Sequence, residues 1–489
     1  MPTVLTKHSW LAAQQCLGMA WHQLRADPVP ADEAALFRMQ EGREVGELAR
    51  KLYPAGVLIA GSDNQAAATR TQACLTNPNY QTIFEATALA APFIAKADIL
   101  TRAADGWHVI EVKSRFSGAK DLIDDLAYTV MVFRRFGVTV RKASLLLLSR
   151  EYRYGDSPNQ LFDSIDVTKE ALARAAEFDA SAGSCARALF HYDPPDPKLG
   201  PACRDCAEFG TECLGAKLAH TTLEIPGLHW KKLQRLAAGD IVDLADLPED
   251  LNLNSRQQRA VQSVRDGRLV VEPDLRDALN SIAWPCYYLD FETVQTTLPL
   301  YPSHGCHEQI LTQFSIHKRD RPGTTLLHVD YLADSARDCQ RQLAEHLIEQ
   351  LGQQGSVIVY SNFEQTRVKA LQNRFPDLST PLQAILDRLV DLLPIIANHV
   401  YHPDFHGSFS IKKVLPALVS EMSYDDLDIR NGDSAVARFA RMARGEITGP
   451  DVDTTRTQLL RYCERDTLAM VRLHDRLLDL AAPLLHHAE

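Results

Sequence analysis

Positive charge is in deficit in this 489-residue chain: 52 Lys and Arg against 63 Asp and Glu leave a net charge of −11. That balance argues against a surface coated for nucleic acid, although basic pieces survive at 134–142, Lys231-Lys232, Lys318-Arg319 and Lys412-Lys413. No apolar run approaches the roughly 20 residues of a membrane span. The N-terminal stretch, with Lys7, His8 and Trp10, lacks the apolar core of a signal peptide. A soluble, cytoplasmic protein with no membrane partner is therefore expected. Fixed-period repeats and low-complexity tracts are missing too, which argues against a solenoid or a disordered array. So is any G-x-x-x-x-G-K-[ST] loop, and with it a P-loop motor in this chain. The ten cysteines are expected as reduced thiols or metal ligands, since cytosolic redox buffers disfavour structural bridges.

Length and an apolar content of 45% allow two or three domains. Residues 1–75 read mostly helical. The period then changes: 82–90, 93–102 and 107–114 are short and β-rich, with Ala104-Asp105-Gly106 as a hairpin turn. Residues 120–137 return to helical spacing, and 143–150 form an apolar run of strand length. The proline-rich stretch 191–203 is expected to be extended. Residues 221–280 read as a charged, largely helical connector. From 284 a second α/β pattern begins, with strands near 287–293, 310–318, 325–332 and 356–362. The expectation is α/β throughout, with an N-terminal domain at 1–220, a connector at 221–280 and a C-terminal domain at 281–489.

Asp98 ends one strand of the first hairpin, and Glu111-Val112-Lys113 lies on the next. Alternation puts Glu111 and Lys113 on one face. Two carboxylates can hold a metal that acidifies bound water, and a lysine alongside offsets phosphate charge. Spacing alone fits an exposed hairpin with ordinary charges as well. Downstream, Cys203-x2-Cys206-x6-Cys213 suits a metal or an iron–sulfur centre better than catalysis. The pattern resembles the PD-(D/E)XK nuclease superfamily, in its RecB-like branch with an iron–sulfur cluster, which includes AddB and CRISPR-associated exonucleases. That resemblance implies a restriction-endonuclease-like fold over roughly 1–215 and a role for Glu85 as a further acid. It also implies a [4Fe-4S] cluster on Cys16, Cys203, Cys206 and Cys213, with zinc as the alternative. The branch's glutamine in the following helix is replaced near Thr129, with Asp125 and Tyr128 nearby.

A second constellation opens the C-terminal domain. Asp290 and Glu292 flank Phe291 on a strand, so both carboxylates share a face; Tyr462 precedes Asp466 by one helical turn. The alternative is a strand that happens to end in Asp-Phe-Glu and a helix with a surface Tyr and Asp. The set resembles the DEDD exonucleases of the RNase H-like (DnaQ-like) superfamily, in their tyrosine subtype: Arg461 stands where the other subtype has histidine. The resemblance implies two Mg2+ or Mn2+ ions on Asp290, Glu292, Glu364 and Asp466, with Tyr462 orienting water. Glu364 stands where Asp is more usual, Asp391 is the reserve acid, and Lys412 in the Ser408–Lys412 run is a phosphate contact. The whole chain resembles a bacterial family of uncharacterised proteins that fuse two such domains. It implies a DNA-processing exonuclease working beside a helicase, repair or defence partner. RNA is the alternative substrate, and a nucleic-acid-binding module with one or both sites inactive is the alternative class.

Overall fold

The alternating stretch from residue 82 becomes an antiparallel meander, and the helical stretch after it becomes the crossover that adds a parallel strand. The computed structural model describes residues 4–117 and 120–482. The chain is mixed α/β and divides into two units: Met1–Ala216 with Thr296–Glu308, and Lys217–Gln295 with Gln309–Glu489.

In unit one, α1 (Lys7–Gln15), α2 (Leu17–Gln23) and α3 (Glu33–Arg50) precede β1 (Val57–Leu58) and α4 (Asn64–Thr76). The meander follows as β2 (Thr82–Ala90), β3 (Phe93–Ala103) and β4 (Gly106–Lys113); α5 (Lys120–Arg135) then leads to β5 (Val140–Leu148), β6 (Phe162–Asp166) and α6 (Thr168–Phe190). The six strands lie in sequence order. β4 and β5 are parallel, the pairing a helical crossover requires. Trp10 is fully buried, edge-on to Phe93 and Phe178 at 5.7 and 5.3 Å between ring centres. Tyr128 on α5 donates to the carbonyl of Leu5 at 2.6 Å. Leu5 in turn pairs with the start of β3 through Leu5 N to Pro92 O and Ile94 N to Leu5 O. These bonds fix where α1 begins, and Thr6 and Ser9 close a capping box there.

In unit two, α7 (Trp230–Ala238), α8 (Ser255–Asp266), β7 (Val270–Val271) and α9 (Leu275–Asn280) lead to β8 (Cys286–Gln295), β9 (Gln309–Arg319) and β10 (Leu327–Leu332). Next come α10 (Gln340–Leu351), β11 (Ser356–Val359), α11 (Phe363–Arg374), α12 (Ser379–Leu386), β12 (Leu389–Asp391), α13 (Leu392–His399) and β13 (Val400–Tyr401). Then α14 (Ile411–Leu418), α15 (Gly432–Ala443) and the 32-residue α16 (Pro450–Ala481) complete the unit. The five-stranded sheet has the order β10-β9-β8-β11-β12, with β8, β11 and β12 paired in parallel, β9 antiparallel to β8, and β10 antiparallel to β9.

The stretch expected as a connector is part of this unit. Ala260, Leu275, Leu279 and Ile282 share one core with Tyr288, Ile358 and the α16 residues Met470 and Leu473. β7 pairs with β13, and Arg259 is buried on Glu272 at 2.6 Å and on the Ala397 carbonyl at 3.2 Å. Its short helices each bury a narrow apolar stripe, so their charge count concealed the docking. The break between units falls at 216/217, and 296–308 belongs with unit one. No described helix is long and apolar enough to cross a membrane.

Candidate functional sites: two carboxylate centres and a thiol cluster

The unit-two centre is assembled from a strand and two helices. Asp290 and Glu292 alternate to the same face of β8, and a register shift follows immediately between Glu292 and Thr293. Asp466 comes from α16, which packs on β8 and β9. One oxygen each of Asp290, Glu292 and Asp466 lie mutually within 4.8 Å. Glu364 enters from the first turn of α11, directly behind β11, and is buried with Oε2 lacking any hydrogen bond. Asp391 ends β12 and caps α13 through the Leu393 amide at 2.9 Å; its charge acts on Glu364.

The electrostatics follow from burial without compensation. Burial raises the Asp290 carboxyl well above the usual range, and the charges of Asp466, Glu292 and Glu364 raise it further. Glu292 rises through burial and then Asp466, eased by Lys412. Glu364 is pushed up by burial, with Asp391 and Asp466 adding to it. Asp466 is raised by burial and eased by Tyr424, Lys412 and Tyr462. Among the described residues, no Lys or Arg ion-pairs with any of these four acids. Converging carboxylates with an orphaned buried oxygen are the donor set hard divalent cations take. Lys412 stands 5.8 Å from the ring centres of both Tyr424 and Tyr462, its ammonium donating to the Arg430 carbonyl at 3.1 Å.

Tyr424 is the residue the sequence did not offer: its hydroxyl donates to Asp466 Oδ1 at 2.6 Å. It lies between α14 and α15 with no motif around it. Cys463 is buried and donates to Asp290 Oδ2 at 3.3 Å; its place next to Tyr462 and three residues before Asp466 is the available signal.

The unit-one centre is neutralised by its own cations. Asp98 lies one residue beyond the Ile99↔Ile110 pair, and its Oδ2 accepts from the Val112 amide at 2.7 Å. Glu111 is buried and accepts from Lys7 at 2.7 Å and Lys113 at 3.0 Å. Asp125 on α5 pairs with both lysines, at 3.4 Å to Lys7. Burial would raise Glu111, but Lys7 and Lys113 hold it below the ordinary carboxylate range; Asp98 is raised by burial and by the Glu111 charge. Lys7 was not read from the sequence. Only the pairing of Leu5 with β3 brings it here, more than a hundred residues from Glu111. Thr129 is buried with its hydroxyl turned back to the Asp125 carbonyl at 3.4 Å, so it does not join the site. Asp98 and Glu85 open onto a cleft of about 610 Å³ also lined by Arg43, Arg50 and Lys96. Glu85 interrupts the β2–β3 register with φ 52° and pairs with Arg50 at 3.5 Å.

Cys16, Cys203, Cys206 and Cys213 line one small cavity with Met19, His22 and Phe209. Cys16 caps α2, its sulfur accepting from the Met19 amide at 3.4 Å, and the Cys203 sulfur accepts from the Gly200 amide at 3.3 Å. Among the described residues, no three of these sulfurs lie mutually within 4.8 Å. Four thiols on one cavity are the donor set that a zinc ion or an iron–sulfur cluster takes. Burial raises the Cys203 and Cys213 thiols above their ordinary range, with the Gly200 and Leu214 amides offsetting part of it, so metal would displace protons on binding.

Residues 287–410 match the family model of a domain of unknown function, DUF2779. The match takes in Asp290, Glu292, Glu364 and Asp391 and stops short of Tyr462 and Asp466. Among curated proteins, the uncharacterized protein MG366 homolog of Mycoplasma pneumoniae is 27% identical over 211 residues, which are 38% of this chain. The match spans 31% of that relative's length. Among solved structures, a family B DNA polymerase from the hyperthermophilic archaeon Pyrobaculum calidifontis aligns over 39% of this chain and 24% of its own. At 13% identity and a TM-score of 0.25, neither fold nor activity carries over.

Proposed function

We propose that the chain is a metal-dependent nuclease that hydrolyses phosphodiester bonds of DNA, with the unit-two acids as its principal site. The observation that carries this reading is the convergence of Asp290, Glu292 and Asp466 within 4.8 Å, beside Glu364 and Tyr462 and without an ion-paired cation. Mg2+ or Mn2+ bound there would stabilise the attacking and leaving oxygens of an in-line displacement. The chain's own residues do the rest. Asp290 and Glu292 are held on a strand, where their spacing is set by the pleat. Tyr462 orients the attacking water, and Lys412 offsets charge on the phosphate. The set corresponds to a tyrosine-subtype DEDD exonuclease of the RNase H-like superfamily.

In unit one, Asp98, Glu111 and Lys113 correspond to a PD-(D/E)XK site of the RecB-like branch. The meander with its crossover helix supports the assignment, as does the cleft bearing Arg43, Arg50 and Lys96. The four thiols lining one cavity support an iron–sulfur centre, with zinc as the alternative, that ties α2 to the segment after α6. A second reading is favoured by Lys7: with Glu111 already bonded to two lysines, unit one binds nucleic acid and leaves cutting to unit two.

The test is degradation of end-labelled single- and double-stranded DNA and RNA with Mg2+ or Mn2+, comparing wild type with Asp290→Ala, Tyr462→Phe and Lys113→Ala. Asp290→Ala is expected to be inactive, and Tyr462→Phe to be slowed by about 10²-fold. Full activity in Asp290→Ala together with loss in Lys113→Ala would move the chemistry to unit one, and RNA cleavage in preference to DNA would change the substrate. Absence of cleavage in every arm sinks the enzyme reading.

A further inference from the structure

Unit two carries another set of metal-ligating side chains, apart from its carboxylate centre. His220, Glu224 and His406 each offer one ligand atom, and the three lie mutually within 4.8 Å. His220 Nδ1 is 2.9 Å and His406 Nδ1 is 3.1 Å from the same oxygen, Glu224 Oε2. The imidazole rings stack with centres 5.2 Å apart and planes inclined by 26°. A tetrahedral ion bound at about 2.0–2.1 Å by nitrogen and oxygen has ligand edges of about 3.3 Å. The observed separations need little change to reach that.

The ligand-bearing segments are pinned by other contacts. Glu224 closes a short 3₁₀ turn, Thr222–Glu224, and its Oε1 accepts from the Thr221 amide at 2.9 Å. That bond leaves Oε2 to face the imidazoles. His406 is left-handed at φ 46°, and Gly407 follows at φ 79°. A Cβ on Gly407 would stand 2.3 Å from the Glu224 carbonyl oxygen, so the loop meets the turn backbone to backbone, an approach only glycine permits. The Gly407 amide is held by the Tyr401 hydroxyl at 2.9 Å. His220 and Glu224 are half-buried while His406 is exposed, which leaves a solvent side for entry and for a fourth ligand.

We propose that His220, Glu224 and His406 bind a zinc ion, with water in the fourth position. Two imidazoles and one carboxylate suit zinc, whereas magnesium and calcium select all-oxygen donors. The ion fastens the segment at 220–224 to the loop at 402–407, both within unit two. Binding takes the Nε2–H tautomer of each neutral imidazole, so the Nδ1 protons now facing Glu224 relocate to Nε2. The inference does not depend on the nuclease reading.

The test is a zinc count on the full chain, stripped with chelator, reloaded with zinc alone and dialysed against magnesium. Glu224→Gln keeps the acceptor for the Thr221 amide, and His406→Asn suits a left-handed backbone; circular dichroism checks that both fold. Each is expected to hold one zinc fewer per chain than wild type and to lose the zinc-dependent rise in Tm. Iron content and Mg2+-dependent cleavage are expected to match wild type. A zinc count equal to wild type in either folded variant overturns the proposal, whatever the cleavage assays show.

Discussion

The two carboxylate centres solve the same problem in opposite ways. Each gathers acids around a strand, on a strand pair in unit one and on one strand and two helices in unit two, yet unit one supplies its own cations. Lys7 and Lys113 bracket Glu111 and Asp125, and Glu111 stays ionised. In unit two the acids face one another, with Lys412 acting only at longer range, and their carboxyls are held up toward the protonated form. A site neutralised from within is stable without metal and must release a lysine to admit one. A site left unneutralised is strained until cations arrive, so its folding stability and its chemistry pull in different directions.

Charge removal at the two centres should therefore have opposite effects on the metal-free chain. Asp290→Asn is expected to lower cleavage by at least about 10³-fold, the scale of losing a preorganised electrostatic group, while raising Tm in chelator because repulsion is relieved. Glu111→Gln leaves two lysines with only Asp125 between them. It is expected to destabilise by about 3 kcal/mol, as breaking a buried pair from one side does. Denaturant unfolding of both variants in chelator gives the two signs. If both lose stability, the contrast between the centres is wrong.

A smaller effect separates Tyr424 from the acids. Its hydroxyl favours the charged form of Asp466, so Tyr424→Phe lets that carboxyl rise further. Mn2+ then competes with a proton over a wider range. Affinity at pH 6 is expected to fall about 10-fold, the scale of one hydrogen bond to a charged group, with the loss shrinking by pH 8. Calorimetric titration at the two pH values measures it. An affinity unchanged at pH 6 would reduce Tyr424 to packing.

The residues legible in the sequence are those whose grouping is local. Asp290 with Glu292 follows from strand alternation, Glu111 with Lys113 from the same rule, and Tyr462 with Asp466 from one helical turn. Lys7 was illegible because its position depends on Leu5 pairing beside β3, a contact across about ninety residues that no spacing encodes. Tyr424 was illegible because it reaches Asp466 from an irregular segment. Asp391 shows the converse: an Asp before Leu-Leu-Pro is a recognisable helix cap, and that structural role accounts for it. The docking of residues 221–280 is illegible because it is tertiary. Their helices are short and charged, and their few apolar residues fill a core built mostly by α16 and the sheet.

The smallest expected effect is also the one that tests the contrast without mutation. The Glu364 carboxyl is pushed up to about 8 by burial, with Asp391 and Asp466 adding to it, whereas an unfolded glutamate titrates near about 4.3. The folded chain therefore binds this proton more readily than the unfolded chain does, and stability in chelator rises as pH falls through 8. Integrated from pH 9 to pH 7, one such group contributes of order 1 kcal/mol. Glu111 runs the other way. Its folded pKa is depressed to about 2, so its contribution is complete above about pH 5 and is lost only toward strong acid; the Asp98 carboxyl, raised to about 7, gives unit one a gain that only begins as pH nears 7. Hydrogen exchange in chelator reads the two units separately. Amides of α16 are expected to gain protection between pH 9 and 7, after correction for intrinsic exchange, and those of β4 and α5 to gain less. Saturating Mg2+ should abolish the gain, because the cation replaces the proton. Equal pH response in both units would mean that the unit-two acids are compensated in solution, and that their convergence creates no demand for metal.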